Sequence, residues 1–281
     1  MKIKVLESKP TYMKFIIEET DPATANAIRR ALVADIPKMA IEDVEFHLGP
    51  IRGEDGKEYE SIAPLFDEII AHRLGLIPLP TDLKLFVRKS ECKACNGEGC
   101  PSCTIIYSLN KKGPCTVTSG DLEPIGDVKL KPIDQNIPIV KLGEGQAMLV
   151  YATAVLGTAK EHAKWQVTSG VGYKYYPVVD IDNRKMTPTK APVEVCPVKI
   201  LHVRDKKVVV EDEEKCTLCM TCVEKFDPGS ISVHGDPSRM IFHFETDGSM
   251  SASEALNTAL DLLDKRFTDI AAKSDNLAVG N

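Results

Sequence analysis

The chain has 281 residues, of which 43% are hydrophobic and 27% are charged. This composition is ordinary for a globular protein and excludes disorder over most of the chain, and the length suggests two domains, with room for an insert. The formal net charge of −6 argues against a protein that binds nucleic acid on its own, because such proteins usually present a basic face.

The first predicted elements are a β-hairpin and a helix. Residues 2–7 and 12–19 read as two strands with a turn near Pro10. Asp21 is a favourable N-cap, and Pro22 suits the first position of a helix. The apolar residues of this helix recur at helical spacing on one face: Ala27, Ile28, Ala31 and Leu32.

Further elements are predicted along the middle of the chain. A helix is predicted at residues 64–74, and the strongest strand pattern covers residues 147–155. A short strand at residues 208–210 precedes a group of cysteines, and residues 240–246 alternate between apolar and polar as a strand does.

The last predicted element is a long helix that begins with a capping box formed by Ser251 and Glu254. Its apolar stripe either packs on a sheet of the same chain or docks against helices of a partner, and its near-heptad spacing favours helix–helix packing. The stripe consists of Leu256, Ala259, Leu260, Leu263, Phe267 and Ile270. The candidate partner-binding residues of the two end helices are Ile28, Ala31, Leu32, Leu256, Leu260, Leu263 and Phe267.

The start of the chain, MKIKVLESKP, lacks the apolar segment of a signal peptide, and no apolar run reaches the ~18 residues of a membrane span. We therefore expect a cytoplasmic protein. In a reducing compartment, clustered cysteines more often bind metal or do redox work than form disulfides. The spacing of the nine cysteines is therefore informative.

Four of the cysteines form two Cys-x2-Cys pairs within a short segment: Cys92, Cys95, Cys100 and Cys103. Four thiolates at this spacing can close a tetrahedral zinc site, and residues 96–99 (NGEG) allow a sharp turn between the pairs. Zinc is the leading interpretation. An empty loop, a loop held by disulfides, and an iron centre are the alternatives.

A second group, Cys216, Cys219 and Cys222, has the Cys-x2-Cys-x2-Cys spacing of bacterial ferredoxins, and Cys196 before a proline supplies the fourth ligand. The positions expected to hold a second cluster are occupied by non-ligands: Met186, Thr189, Pro192 and Phe226. The pattern predicts one iron–sulfur cluster, either 4Fe-4S or 3Fe-4S. A zinc site on the same cysteines is the alternative.

Motifs of catalysis are missing from the sequence. It contains no Asp-x-Asp-x-Asp-like run of the kind that holds two Mg²⁺ ions, no phosphate-binding glycine loop, no nucleophile elbow and no dinucleotide fingerprint. Acidic stretches such as residues 211–214 read as a solvated face. We therefore predict no catalytic residue.

Three segments resemble the signature motifs of the alpha-like subunits of cellular RNA polymerases. They are residues 26–32 (NAIRRAL) followed by 35–37 (DIP), residues 72–79 (HRLGLIPL) and residues 160–165 (KEHAKW). Together with the ferredoxin-like cysteines, they make nearly the whole chain similar to the archaeal members of this family, which add a ferredoxin-like domain.

The resemblance implies an α+β fold in three parts. Residues 1–45 and 236–281 would form an alpha-like dimerisation domain, residues 46–170 an inserted, mostly β domain, and residues 171–235 a ferredoxin-like iron–sulfur domain. Eukaryotic relatives in the family are known for a zinc loop in the inserted domain, which supports zinc at residues 92–103.

The implied function is assembly of DNA-directed RNA polymerase, a nucleotidyltransferase, by a subunit without an active site of its own. In the family, the subunit pairs with a smaller subunit L, the heterodimer is a platform for the large subunits, and small subunits N and P bind nearby. Neither tight DNA binding nor membrane contact is expected. The alternative is a ferredoxin-like electron-transfer or oxidoreductase subunit, which would have no need of the alpha-like motifs.

Overall fold

The structure, a computed structural model, describes residues 1–52, 56–186 and 194–278. Its strands are β1 (Lys2–Lys9), β2 (Tyr12–Glu18), β3 (Lys38–Phe46), β4 (Ile51–Arg52), β5 (Glu58–Tyr59), β6 (Thr104–Lys112), β7 (Cys115–Thr118), β8 (Glu123–Pro124), β9 (Pro138–Leu142), β10 (Ala147–Gly157), β11 (Thr168–Ile181), β12 (Leu201–Arg204), β13 (Lys207–Val210) and β14 (Ile231–Thr246). Its helices are α1 (Pro22–Ala34), α2 (Asp67–Gly75), α3 (Thr221–Lys225) and α4 (Ala252–Ala278).

The chain divides into two compact units, which we describe separately. The first contains residues 1–8, 12–29 and 170–244, and the second contains residues 9–11, 30–169 and 245–281. Helices and strands occur in both, so the fold is mixed α and β. The division into three domains implied by the family resemblance stays a prediction.

A four-stranded sheet, in the order β1-β2-β14-β11, lies mostly in the first unit. Its core is aromatic. The ring of Phe242 in β14 stacks on Phe15 of β2, with ring centroids 5.3 Å apart, and on Tyr173 of β11, with centroids 5.0 Å apart. The strands predicted at residues 2–7, 12–19 and 240–246 all belong to this sheet, which is held together by strands from both ends of the chain.

The rest of the first unit has a small core around the hairpin of β12 and β13. The side chain of Asn183 fixes this hairpin, since its amide donates to the Val208 carbonyl at 3.1 Å and its carbonyl accepts from the Val208 N–H at 2.7 Å. The short strand predicted at residues 208–210 lies within β13. The buried residues of this core are Val179, Met186, Cys196, Ile200, Leu201, Val208, Cys216, Ile231 and Val233.

In the second unit, a sheet in the order β3-β10-β6-β8 carries an extensive core. The strand predicted at residues 147–155 is β10, and it pairs antiparallel with β3 on one side and β6 on the other. Alternate residues of β10, including Val150 and Ala152, are buried, as expected for a strand with one face on a core. Helix α2 contributes Ile70 and Leu74 to the same core.

The segment that follows β10 contains a close contact that requires glycine. A Cβ atom at Gly157 would lie 2.3 Å from the ring of Trp165, nearer than two carbon atoms can approach. The indole N–H of Trp165 donates to the Val155 carbonyl at 3.1 Å. The tryptophan of the KEHAKW motif therefore fastens its loop onto the end of β10.

The predicted N-cap of α1 is confirmed, because the Asp21 carboxylate accepts a hydrogen bond from the backbone N–H of Ala23 at 2.8 Å. The helix predicted at residues 64–74 exists as α2, but it begins later, at Asp67. Phe66 is still extended and supplies the N-cap position without a side-chain hydrogen bond, so the helix cannot begin before it.

The capping box of α4 is also confirmed. The Ser251 hydroxyl accepts from the Glu254 N–H at 3.2 Å, and the Glu254 carboxylate accepts from the Ser251 N–H at 3.0 Å. The helix that follows has 27 residues. Within the described parts of the chain, no helix combines the length and the apolar character that crossing a lipid bilayer requires.

Candidate metal centres and partner surface

The cysteines of the first group lie together in a loop between α2 and β6, and their sulfur atoms all lie within 4.8 Å of one another. The Sγ atoms of Cys92 and Cys100 are 3.6 Å apart, those of Cys95 and Cys103 are 3.6 Å apart, and those of Cys100 and Cys103 are 3.8 Å apart. A tetrahedron with Zn–S bonds of about 2.3 Å has edges of about 3.8 Å. The four sulfurs therefore match the ligand shell of a single metal ion.

The backbone of this loop turns sharply between the two cysteine pairs. Asn96, Gly97 and Gly99 have positive φ angles of 49°, 91° and 115°, a region that favours glycine and asparagine. Because of these turns, the Gly99 N–H donates to the sulfur of Cys95 at 3.3 Å. The second pair contains a similar hydrogen bond, in which the Cys100 N–H donates to the sulfur of Cys103 at 3.3 Å. The NGEG segment thus folds as its composition predicts.

The surroundings of Cys95 and Cys103 shift the pKa values of these two thiols in opposite directions. Hydrogen bonding from the Gly99 backbone lowers the pKa of the half-buried Cys95 to about 6. Burial raises the pKa of Cys103 to about 12. A bound cation would favour the thiolate at all four positions, because its charge outweighs the cost of burial.

All nine cysteines lie in the described residues, and each is a free thiol. In the first group the Sγ separations of 3.6 and 3.8 Å are far longer than the ~2.05 Å of a disulfide. Among the interpretations of this loop, the structure therefore agrees with a four-cysteine metal site. Zinc and iron both bind four thiolates, so the geometry fits either metal.

The second group also comes together, in the first unit. Cys196, Cys216, Cys219 and Cys222 all line one small cavity of about 20 Å³. The remaining wall is mainly apolar and includes Val179, Ile200, Leu201 and Val233. Four thiols around an apolar cavity form a donor set and a setting that fit an iron–sulfur cluster.

The run from Cys216 to Cys222 has an unusual backbone. Leu218 and Met220 have φ angles of 56° and 60°, and α3 begins directly after Met220. The side-chain hydrogen bond from Thr221 lowers the pKa of the exposed Cys219, whereas burial raises the pKa of Cys222. The strained turns bring successive cysteines to one side of the segment, where they line the cavity.

A lysine from the sheet contacts this cysteine segment. The ammonium group of Lys174, in β11, donates hydrogen bonds to the carbonyl oxygens of Glu214 at 2.6 Å and Cys216 at 2.7 Å. Burial lowers the pKa of Lys174, while the nearby Cys216 acts in the opposite direction. Sequence analysis does not predict this contact, because Lys174 lies in an unremarkable strand far along the chain from the cysteines.

The structure describes two of the four positions expected for the ligands of a second cluster. Met186 is buried in the small core, and Phe226 packs against the same core. Thr189 and Pro192 lie outside the described residues.

The candidate partner-binding residues differ widely in exposure. Four of them are buried within the chain: Ile28, Ala31, Leu32 and Leu256. Leu260 and Leu263 are half-buried, and Phe267 is 63% exposed. The next apolar residue of the stripe, Ile270, is 62% exposed. The apolar surface available to a partner therefore lies on the second half of α4.

The structure contains a charged contact near this surface that the sequence did not predict. Asp35, only 7% exposed, accepts a hydrogen bond from Arg266 of α4 and forms an ion pair with Lys160 at 2.5 Å. Burial disfavours the ionised carboxylate, but the two cations outweigh it and lower the pKa of Asp35. The sequence feature that could have indicated this contact is that Asp35 and Lys160 fall in two of the alpha-like motifs.

Comparison with known proteins adds independent information. A family model described as "RNA polymerase Rpb3/RpoA insert domain" matches residues 51–174. A protein of Thermoplasma volcanium is 48% identical over 95% of this chain and 97% of its own length. A protein of Picrophilus torridus is 47% identical over 95% of this chain and 97% of its own, and one of Methanosphaera stadtmanae is 38% identical over 96% and 97%.

All three relatives are named DNA-directed RNA polymerase subunit Rpo3. The identities and the coverage of both chains are far higher than a shared domain alone would produce. They do not support the electron-carrier alternative. This chain belongs to the Rpo3 family of DNA-directed RNA polymerase subunits.

Proposed function

We propose that this protein is a non-catalytic assembly subunit of DNA-directed RNA polymerase, acting in the cytoplasm. The observation that carries the proposal is the 48% identity to the Rpo3 subunit of Thermoplasma volcanium across 95% of this chain. The sequence contains no Asp-x-Asp-x-Asp-like run for binding Mg²⁺, which supports a role without catalysis.

The proposed partner of the dimerisation domain, residues 1–45 and 236–281, is the smaller subunit L. The exposed side chains of Phe267 and Ile270 support this proposal, since a helix with unpartnered apolar residues at i and i+3 gains stability by packing on another helix. The heterodimer would then bind the large subunits, with the small subunits N and P nearby, as the family resemblance implies.

Two metal centres complete the proposal. The Cys92, Cys95, Cys100 and Cys103 sulfurs are spaced for one metal ion, which we propose is zinc and which would hold the loop in its folded form. Cys196, Cys216, Cys219 and Cys222 would hold one iron–sulfur cluster in a ferredoxin-like domain of residues 171–235. The shared cavity of these four thiols and its apolar walls support a cluster at this position.

The proposed role of the cluster is structural. The core around β12 and β13 is small and includes two of the cysteines themselves, and a core of this size rarely stabilises a domain without a metal or another cross-link. Replacing Cys219 with Ser should therefore reduce hydrogen-exchange protection in residues 194–235 and leave β3, β6 and β10 protected. Full protection of both regions in a cluster-free variant would contradict this role.

The decisive experiment is anaerobic co-expression of the full chain with the candidate subunit L. We expect a 1:1 complex on size-exclusion chromatography, about one zinc per chain by elemental analysis, and iron and sulfide with broad visible absorption. A chain that elutes alone would contradict the proposed partner. A complex without iron would contradict the proposed cluster and leave the partner proposal intact.

The free chain should bind duplex DNA poorly, because its net charge is −6. Fluorescence anisotropy with labelled duplex DNA over a series of salt concentrations tests this expectation. Submicromolar binding that weakens steeply with salt would indicate that the chain contacts DNA directly.

A further inference from the structure

We propose that Lys174 is a positioning residue for the iron–sulfur cluster, which holds the Cys216 segment in place and raises the reduction potential of the cluster through its positive charge. This inference rests on the proposed cluster at Cys196, Cys216, Cys219 and Cys222. It assigns a role to a residue that is not one of the ligands.

The first step of the argument is the contact itself. Lys174 Nζ donates to two backbone carbonyls, at 2.6 Å to Glu214 and at 2.7 Å to Cys216. These carbonyls belong to the segment that leads into the ligand run, where the Cys216 N–H is already used in a turn with Glu213 at 2.9 Å. The backbone on both sides of the Cys216 α-carbon is thereby fixed, and with it the direction of the cysteine side chain.

The second step concerns support from the fold. Lys174 lies in β11, a strand of the four-stranded sheet, and Val179 of the same strand lines the cavity. The cysteine run itself contains only the five-residue helix α3 and a short turn, and two of its residues have strained positive φ angles. A rigid strand is thus tied by a charge-assisted bond to a segment with little regular structure of its own.

The third step is electrostatic. A cluster ligated by four thiolates is anionic, and its reduced state carries one more negative charge than its oxidised state. The reduction potential of such a cluster depends on nearby charge, hydrogen bonding and exposure. The Lys174 ammonium is half-buried, and its Nζ lies 2.7 Å from the carbonyl oxygen of the proposed ligand Cys216. A cation that is poorly screened by solvent stabilises the reduced state more than the oxidised state and raises the potential.

The test uses the full chain, purified anaerobically and reconstituted with iron and sulfide. Lys174→Met keeps the aliphatic stem and removes the charge and the donors, and Lys174→Arg keeps both. Lys215→Met is the matched control, because it removes a lysine next to Cys216 in sequence, with a side chain 68% exposed that pairs with Asp212. The midpoint potential is measured by redox titration, and the rate of cluster loss is measured with an iron chelator.

We expect Lys174→Met to lower the midpoint potential and to lose its cluster several-fold faster, whereas Lys174→Arg and Lys215→Met stay close to the wild-type chain. If Lys174→Met takes up no cluster, Lys174→Gln, which keeps an amide donor without the charge, replaces it in both measurements. An unchanged potential and an unchanged rate of loss in the neutral variants would overturn the inference. A wild-type chain that takes up no cluster would instead contradict the proposed iron–sulfur domain, and the inference with it.

Discussion

Asp35 and Arg266 are joined by a hydrogen bond between residues that lie 231 positions apart in the chain. Asp35 follows the end of α1, and Arg266 lies in the half of α4 whose side chains are exposed. Lys160, from the KEHAKW segment, pairs with the same carboxylate at 2.5 Å. The second half of α4, where Phe267 and Ile270 are exposed, is therefore held in position by a buried acid.

The first prediction concerns this carboxylate. Asp35→Asn should lower the free energy of unfolding by about 1–3 kcal/mol. This is less than the ~3–5 kcal/mol for breaking a fully buried pair, because Arg266 and Lys160 are about half exposed and can regain water. Urea denaturation at neutral pH measures the change. The control is Asp269→Asn on the exposed face of α4, which should change stability by no more than ~0.5 kcal/mol; equal effects of the two variants would contradict the prediction.

The second prediction follows from the lowered pKa of Asp35. The unfolded chain has an ordinary aspartate pKa of about 3.9, so the ionised carboxylate stabilises the folded state above that pH. The contribution is lost as the pH falls through the lower pKa of the folded state. The difference in stability between the wild-type chain and Asp35→Asn should therefore be constant from about pH 7 to pH 5 and should shrink below about pH 4.

Urea denaturation at a series of pH values measures this difference. Other carboxylates also contribute to acid unfolding, but they are common to both chains and cancel in the comparison. A stability difference that stays the same at about pH 3 would show that Asp35 does not act through its charge.

The third prediction concerns the four-cysteine loop. Replacing Cys95 and Cys100 with Ser should remove about one zinc per chain, because two thiolates cannot close a tetrahedral site. The thermal unfolding midpoint should fall by several degrees. Elemental analysis and differential scanning calorimetry measure the two effects.

The controls for this prediction come from the remaining cysteines. Cys219→Ser should lose iron and keep zinc, and Cys115→Ser, outside both groups, should keep both metals. Wild-type protein that contains iron but no zinc after anaerobic preparation would show that the loop is not a zinc site.

The fourth prediction concerns the helix surface. Phe267→Glu should weaken pairing with subunit L at least tenfold, because it replaces an exposed apolar contact with a charge that must lose its water on binding. Thr268→Glu adds the same charge on the same exposed turn, away from the apolar stripe, and should have a small effect. Size-exclusion chromatography at low micromolar concentration compares the two variants. If Phe267→Glu still pairs fully with subunit L, the interface lies on another surface.

The structure also changes which substitutions are useful at this interface. Ile28 is 2% exposed, so a charge placed there would disrupt the chain's own packing before any effect on a partner could be measured. Leu260 is half-buried, so a charge placed there would also disrupt the packing of the chain itself, though less severely. The amphipathic pattern alone could not separate the two halves of the stripe, because the helical period is the same whether a residue packs inside its own chain or on another.

Sequence signals were most informative where they depend on neighbouring residues. The caps at Asp21 and Ser251 and the turns around Gly97 and Gly99 involve contacts within a few residues, and all are found in the structure. The strand β10, predicted from its own apolar run, is also found. The prediction of an RNA polymerase subunit depends on three short motifs that occur in order along the chain. It is confirmed by the relatives, which are named as RNA polymerase subunits.

Contacts between distant residues could not be predicted in this way. The strand β11 carries Gly170, Gly172 and Pro177, which obscure its pattern, and an edge position in the sheet tolerates them. The Asp35–Arg266 bond and the contact of Lys174 with the Cys216 segment are likewise set by the tertiary fold. For the cysteines, spacing predicted two groups, but the identity of each metal depends on chemistry that spacing does not contain.

The position of β14 has a consequence for biosynthesis. In the order β1-β2-β14-β11, the strand that a ribosome makes last among these four lies between two strands made earlier. Until residue 246 has been synthesised, β2 and β11 each expose an unpaired edge, and exposed edges of this kind recruit other chains. The nascent polypeptide is thus most prone to aggregation between the synthesis of β11 and that of β14, and a chaperone that acts in this interval would protect it most.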